Sequence, residues 1–538
     1  MAGVNLAPQT YLTRPGPVAS SALMRKVSSI GARVAFGLLI FAVLTAAILM
    51  RPAKWLSDFD RAYYLTIVYD LVHHGVFSNG VLDDVDSTVA VPPPGMFFGP
   101  LYPLLITGVT KIDARFAQSI NCAVEVNHGA RPDADCEIYV RPMHVIHGLL
   151  LALGVLAIAR AGEVIFTRAM VFWLAGALAT GALLADADLF SFLMTESMTF
   201  SLYGLTMLAL AVGWTTAKRR YFVMAGLALG LLCLARFSYL VAVLVIPVLI
   251  FLSARFFARP HRWAATSVLM FALAFLAVLL PWAIRNAISV GKFALTEEYG
   301  SVTLIERLAF DQMTAREFFL AFPFCIPEIG PRAIQSAFGP DAMTRFQYDA
   351  PVSFYRIGAG QRWALVAAHK RIDPIIGELF RAEMKKNWWR YILVSVPLAW
   401  CGLWVGGWLG LLIVPLFPAA CIAAFRQSKP AFLLYAAPPL VMLGLHAAIA
   451  NHYTRYNLAL IGPFSVGAAW LLLSIGANLR SRWRAALEKS ALGSAFQQFT
   501  TRCDPHPIPP PFRGREEQAA HASRSHETPR TPQTLSSP

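Results

Sequence analysis

Trp263 to Trp282 reads WAATSVLMFALAFLAVLLPW, without a single Asp, Glu, Lys or Arg. A helix that crosses the hydrocarbon core of a bilayer needs about 20 such residues, at 1.5 Å each. Val34 to Met50 is a second uncharged run, and the same reading places spans at 143–159, 169–185, 195–215, 221–234, 239–254, 431–450 and 458–476. The stretch 391–424 is long enough for two short helices. Two crossings there would strand Arg426 and the later arginines on the wrong side, so we expect one crossing plus an interfacial helix. The fold class is therefore all-α integral membrane, with about ten transmembrane helices.

Composition agrees with this reading. Apolar residues make up 57% of the 538 and charged residues 14%, against roughly 25% charged in soluble domains. The net charge of +15 does not point to nucleic acid, because the sequence has no basic patch interleaved with stacking aromatics. It fits the Lys and Arg excess of cytoplasmic loops. Arg25 and Lys26, Arg160 and Arg168, Lys218-Arg219-Arg220, Arg255, Arg259 and Arg262, Arg426 and Lys429, and Arg480, Arg482 and Arg484 fall in alternate loops. They assign one face to the cytoplasm and leave 51–142 and 283–390 as two large outer segments carrying juxtamembrane helices.

The domains that follow are a cytoplasmic 1–33, a transmembrane 34–476 and a basic, disordered cytoplasmic tail over 477–538. The last forty residues, rich in Pro, Ser, Arg and His, cannot build a core. The first span is an anchor, since no small-residue cleavage site follows it. There is no internal repeat. Of seven cysteines, Cys233, Cys401 and Cys421 lie in apolar runs and read as small core residues. Cys122 and Cys136 share an outer loop, where an oxidising compartment would allow a disulfide. No cysteine spacing resembles a zinc site.

Candidate chemistry gathers at outer span ends. The first outer segment contains Asp58-Phe59-Asp60-Arg61-Ala62-Tyr63-Tyr64 and continues to His73-His74-Gly75. From Asp60 to His74 the pattern is helical, with Leu65, Val68, Leu71 and Val72 on one face, which suits a helix lying on the membrane surface. Gly75 would end it. Asp58 and Asp60 at its start suit either capping or catalysis, because the helix dipole keeps them ionised. Pro92-Pro93-Pro94-Gly95 and Gly99-Pro100-Leu101-Tyr102-Pro103 cannot form a regular span and would wrap back onto the lipid surface. Asp186, Asp188, Glu196, Arg236, Arg285, Arg455 and Tyr456 occupy other outer ends. Charge near membrane depth is costly, and carboxylates with arginines from separate spans suit an anionic, lipid-linked phosphate.

The segment Asp60-Arg61-Ala62-Tyr63-Tyr64 through His74-Gly75-Val76-Phe77-Ser78 resembles the first outer loop of the polytopic GT-C glycosyltransferases. It looks most like the bacterial relatives of protein O-mannosyltransferases and aminoarabinose transferases. Leu101-Tyr102-Pro103-Leu104, Met194-Thr195-Glu196, Ala235-Arg236-Phe237, Pro281-Trp282-Ala283-Ile284-Arg285-Asn286 and Arg455-Tyr456 follow in order, so the resemblance runs from about residue 30 to 476. It implies a multi-pass enzyme of the bacterial inner membrane with its site facing the periplasm. Such an enzyme moves a sugar from a polyprenyl-phosphate donor to a glycolipid, glycan or protein, with inversion.

By the same resemblance Asp60 is the catalytic acid, with Asp58 the fallback, and Tyr63, Tyr64, Glu196, Arg236, Arg285, Arg455 and Tyr456 bind substrate. Arg285 and Arg455 would meet the departing phosphate. Glu196 would orient the acceptor or hold a divalent cation. Two departures matter: Arg61 stands where an acid often follows the aspartate, and the proline motif lacks its usual preceding arginine. Two alternatives remain, a transporter or flippase of lipid-linked intermediates and a lipid-linked oligosaccharide ligase.

Overall fold

The structure, a computed structural model, describes residues 17–52, 60–80, 91–128, 135–297, 299–368, 373–450 and 454–501. These are helices joined by turns, with no strand among the described residues. In chain order they are α1 (Pro17–Leu49), α2 (Asp60–His73), α3 (Leu101–Thr110), α4 (Ala114–Asn127), α5 (Arg141–Phe166), α6 (Ala169–Ala185) and the single turn α7 (Ala187–Phe190). Next come α8 (Glu196–Thr216), α9 (Arg220–Ala235), α10 (Ala242–Phe256), α11 (His261–Ser289), α12 (Tyr299–Ala309), α13 (Ala315–Phe324) and α14 (Ile329–Phe338). The last are α15 (Phe354–Ala368), α16 (Asp373–Leu403), α17 (Gly410–Arg426), α18 (Pro430–Ile449) and α19 (Ile461–Thr501). Two compact units divide the chain at Gly476.

Eight helical stretches among the described residues are long and apolar enough to cross a membrane, and α6 and α9 are shorter apolar helices beside them. The bundle carries its apolar residues outside as well as in. Leu38, Leu244 and Leu273 are 62%, 72% and 58% exposed, on a scale that soluble monomers avoid. The chain is an all-α integral membrane protein. Its centre is α5, which packs on α1, α6 and α8, while α8 continues the contact to α9 and α9 to α11. Prolines 281, 397, 438 and 439 lie inside helices, which spanning helices tolerate because neighbours satisfy the freed backbone groups.

Within 391–424 one stretch, Gly407–Arg426, meets the spanning criterion. The residues before it finish α16, which kinks at Asn387 (φ −137°, ψ 31°). Charged residues precede the kink and Trp388-Trp389 follow it, 57% and 56% exposed, as aromatic residues do at a membrane interface.

Three expectations need correction. Helix α2 does not lie as a one-sided helix on lipid. Arg61, Ala62, Tyr64 to Tyr69 and Asp70 are all buried, because α3 and α4 cover the face that the pattern left polar. The proline stretch also returns to protein, with Gly95, Met96, Phe98, Gly99 and Pro100 buried. Residues 477–501, assigned to the disordered tail, are helical, and 502–538 lie outside the described residues.

The cysteines form two disulfides. Cys122 pairs with Cys136 at a Cα separation of 5.7 Å. Cys401, read as a core residue, pairs with Cys325 at 4.9 Å, so its apolar surroundings come from the helix it shares. Both bonds lie in or beside the segments assigned to the outer face, while the free Cys233 and Cys421 sit inside apolar helices.

Candidate active site

Asp60 is the first residue of α2, where unpaired backbone N–H groups favour a carboxylate. Gly75, at φ +69°, carries the chain out of the helix. The Asp60 side chain is 41% exposed and lies 4.0 Å from Arg455 Nη2. Arg455 belongs to a 3₁₀ turn, Thr454–Leu460, that leads into α19. Its Nη2 donates to the Tyr456 hydroxyl at 3.2 Å. The Tyr456 ring meets two cations, with the Arg455 and Arg236 guanidinium carbons 5.1 and 4.7 Å from its centre.

Arg236 ends α9 in an extended conformation (φ −155°, ψ 110°), and its Nη1 reaches Glu196 Oε1 at 3.4 Å. Glu196 opens α8 and is 2% exposed, and its other oxygen has no hydrogen-bond partner among the described residues. Four elements thus bring Asp60, Glu196, Arg236, Arg455 and Tyr456 together. Both ion pairs are longer than the 2.7–2.9 Å of a closed charge-assisted bond.

The other predicted residues lie elsewhere. Asp58 falls outside the described residues. Tyr63 and Tyr64 pack on Phe98, with ring centres 5.6 and 4.9 Å away, and Tyr64 stands edge-on to Tyr102. Arg285 donates to the carbonyls of Gly95 and Phe77, the latter at 2.9 Å, and so fastens the first outer segment to α11. Asp186 accepts the Gly406 N–H at 3.1 Å, and Asp188 pairs with Arg51 at 3.4 Å. Arg61 stacks on Phe192 at 4.6 Å. No group of three or more His, Cys, Asp or Glu able to hold a metal gathers among the described residues.

Sequence reasoning missed Glu306, on α12 in the segment 283–390. It is 5% exposed and pairs with Arg362 at 3.1 Å. Burial pushes its carboxyl up to about 7; Arg362 opposes the shift, Asp60 adds to it, and Arg455 opposes it. Glu306 is therefore within electrostatic reach of Asp60 and Arg455.

Its neighbour fixes α12 in place. Arg307 is fully buried and donates to Asp311 (2.9 Å), the Ala447 and Tyr391 carbonyls (both 2.9 Å) and the Ser395 hydroxyl (3.0 Å). On its other side α12 meets α15 at Gly358, where a Cβ would sit 2.6 Å from Glu306 Cα. The signal in the sequence was an acid beside an arginine in an otherwise apolar stretch, Thr303-Leu304-Ile305-Glu306-Arg307-Leu308-Ala309.

No family model matches the sequence, and no curated protein is significantly similar to it. Similar solved structures include the archaeal oligosaccharyltransferase AglB from Archaeoglobus fulgidus, in complex with an inhibitory peptide and a dolichol-phosphate. That likeness has a TM-score of 0.43 and 12% identity, over 84% of this chain and 52% of that one. The chain spans about half the length of AglB. ArnT from Cupriavidus metallidurans, bound to undecaprenyl phosphate, gives 0.36 and 14%, over 82% of this chain and 78% of that one.

Proposed function

We propose that this chain is a membrane glycosyltransferase that moves a sugar from a polyprenyl-phosphate donor to an acceptor hydroxyl at the periplasmic face, with inversion. One observation carries the reading: a solvent-reachable carboxylate, Asp60, stands 4.0 Å from Arg455, and a second arginine, Arg236, shares the Tyr456 ring with it. Asp60 accepts the proton of the acceptor hydroxyl as that oxygen bonds to the anomeric carbon. The bond from that carbon to the phosphate oxygen breaks on the opposite side, and its electron pair stays on the phosphate. A positioned base contributes about 10²–10⁴-fold.

The phosphate contact goes to Arg455, with Arg236 behind it across the Tyr456 ring, because Arg285 is committed to backbone carbonyls. Charge that grows on the leaving phosphate is stabilised where the arginines are already held. Glu196 keeps Arg236 in place and is available to an acceptor hydroxyl. The donor's apolar tail stays in lipid, which explains why the enzyme is embedded at all.

The test is sugar release by the purified chain in nanodiscs, offered a panel of radiolabelled polyprenyl-phosphate sugars. Loss of label from one carrier supports the reading. Specific donor binding with no release from any carrier overturns it in favour of transport.

A further inference from the structure

Beyond the Asp60 set, one group of side chains lies in the segment 283–390. Tyr348 and Tyr355 stack with ring centres 4.2 Å apart at 27°. Arg356 lies 5.7 Å from the Tyr348 ring centre, and the Glu306–Arg362 pair belongs to the helices on which this turn rests. The local sequence explains the placement. Ser353 caps α15 by accepting the Arg356 N–H at 3.1 Å. Phe354, fully buried, stacks on Phe310 with centres 5.0 Å apart and pins the first turn. Tyr355, about 100° further round the helix, is left half-buried.

The group belongs to the same end of the bundle as Asp60. Arg307, next to Glu306, bonds the carbonyl of Ala447, and His446 just before it lies 5.7 Å, ring to ring, from Tyr456. The charges acting on the Tyr355 hydroxyl include those of Glu306, Arg362 and Tyr456, and those acting on Tyr348 include Arg455 and Arg356.

We propose that Tyr348 and Tyr355, with Arg356, Arg362 and Glu306 at their rim, form a pyranose-binding subsite that holds the acceptor, so that the acceptor is itself a sugar. This rests on the transferase reading given above. A pyranose has an apolar C–H face that packs on aromatic rings and an equatorial rim of hydroxyls that needs donors and acceptors together. The group supplies both kinds of surface. A simple lipid alcohol would have no use for two guanidiniums and a carboxylate.

The test is saturation-transfer NMR on the full chain in nanodiscs with methyl pyranosides of the common sugars, which requires no turnover. One pyranoside should receive saturation on its C–H face. Tyr355→Ala should weaken its binding about tenfold, while Tyr355→Phe, which keeps the ring, should weaken it much less. Thermal unfolding followed by tryptophan emission checks that each variant is folded.

Further arms separate the acceptor's sugar from the donor's. The signal should survive loading with sugar-free polyprenyl phosphate and with the polyprenyl-phosphate sugar. Loss of the signal on adding the polyprenyl-phosphate sugar alone would mean that the donor's own sugar fills the subsite, which overturns the acceptor assignment. Absence of saturation from every pyranoside, or its persistence in Tyr348→Ala/Tyr355→Ala, would overturn the subsite. A chain that binds a pyranoside but releases sugar from no donor would instead refute the transferase reading.

Discussion

Helix α5 has a charged cluster near each end, and the two are built differently. Near its C-terminus Glu163 uses both oxygens, with Arg33 Nη2 at 2.7 Å and Arg160 Nη1 at 2.6 Å. Toward its N-terminus His144 and His147 hold the carbonyls of Ser191 and Phe190, just ahead of Glu196. There the ion pairs stretch to 3.4 and 4.0 Å, and one Glu196 oxygen has no hydrogen-bond partner among the described residues. The residue types are the same. The first cluster closes at short range and anchors a helix end; the second is held by longer pairs. A buried carboxylate oxygen without a hydrogen-bond partner, as on Glu196, is costly, so the looser cluster is the one expected to bind a ligand.

Substitutions can break or sharpen that contrast. Asp60→Asn should lower turnover about 10²–10⁴-fold at unchanged thermal stability, measured as label leaving the carrier. Arg455→Gln removes a charge from the same looser cluster and should lower kcat about 10²–10³-fold, the range for losing one stabilising donor. Arg307→Ala should instead cost about 3–5 kcal/mol of stability, as breaking a buried pair does. It leaves Asp311 buried without its partner, and hydrogen exchange should show α12 losing protection.

Glu306→Gln tests the coupling of the segment 283–390 to the site through pH. Burial raises the Glu306 carboxyl from its ordinary 4.5 to about 7. The folded chain therefore keeps a proton that the unfolded chain releases, so this group costs stability as pH rises from 4.5 towards 7, with no further loss above. The variant should lack that part of the slope in thermal unfolding against pH. Arg160→Ala at the closed cluster should have the smallest effect, about 0–1 kcal/mol of stability for an exposed pair, with turnover unchanged. If turnover fell with Arg160→Ala as it does with Arg455→Gln, the contrast between the clusters would not hold.

Much of the looser cluster was legible in the sequence, because position along a span reports depth in the membrane. Glu196, Arg236, Arg455 and Tyr456 each stand at a span end that the charge pattern assigns to the outer face, and Asp60 opens a helix whose start and Gly75 stop are local signals. What failed was anything decided by long-range packing. An apolar face does not say whether lipid or protein covers it, so α2 read as a surface helix when α3 and α4 bury it. Arg285 looked like a phosphate ligand, yet the carbonyls it holds lie some 200 residues earlier in the chain. Glu306 and Tyr355 sit in short helices and Tyr348 in a turn, all without a motif, and the buried contacts of Arg307 and Phe354 fix the helices that carry Glu306 and Tyr355. Cys401 gave no hint of Cys325, because an apolar run conceals a partner brought by another helix.

The most direct test of one-step transfer, with Asp60 as base, is the anomeric configuration of the product. The wild-type chain in nanodiscs would be given its preferred polyprenyl-phosphate sugar and acceptor, and the first product followed by proton NMR. The account predicts that every product molecule carries the configuration opposite to the donor. Retained configuration would require a double displacement or attack from the leaving group's own face, and would contradict in-line attack with Asp60 as the base.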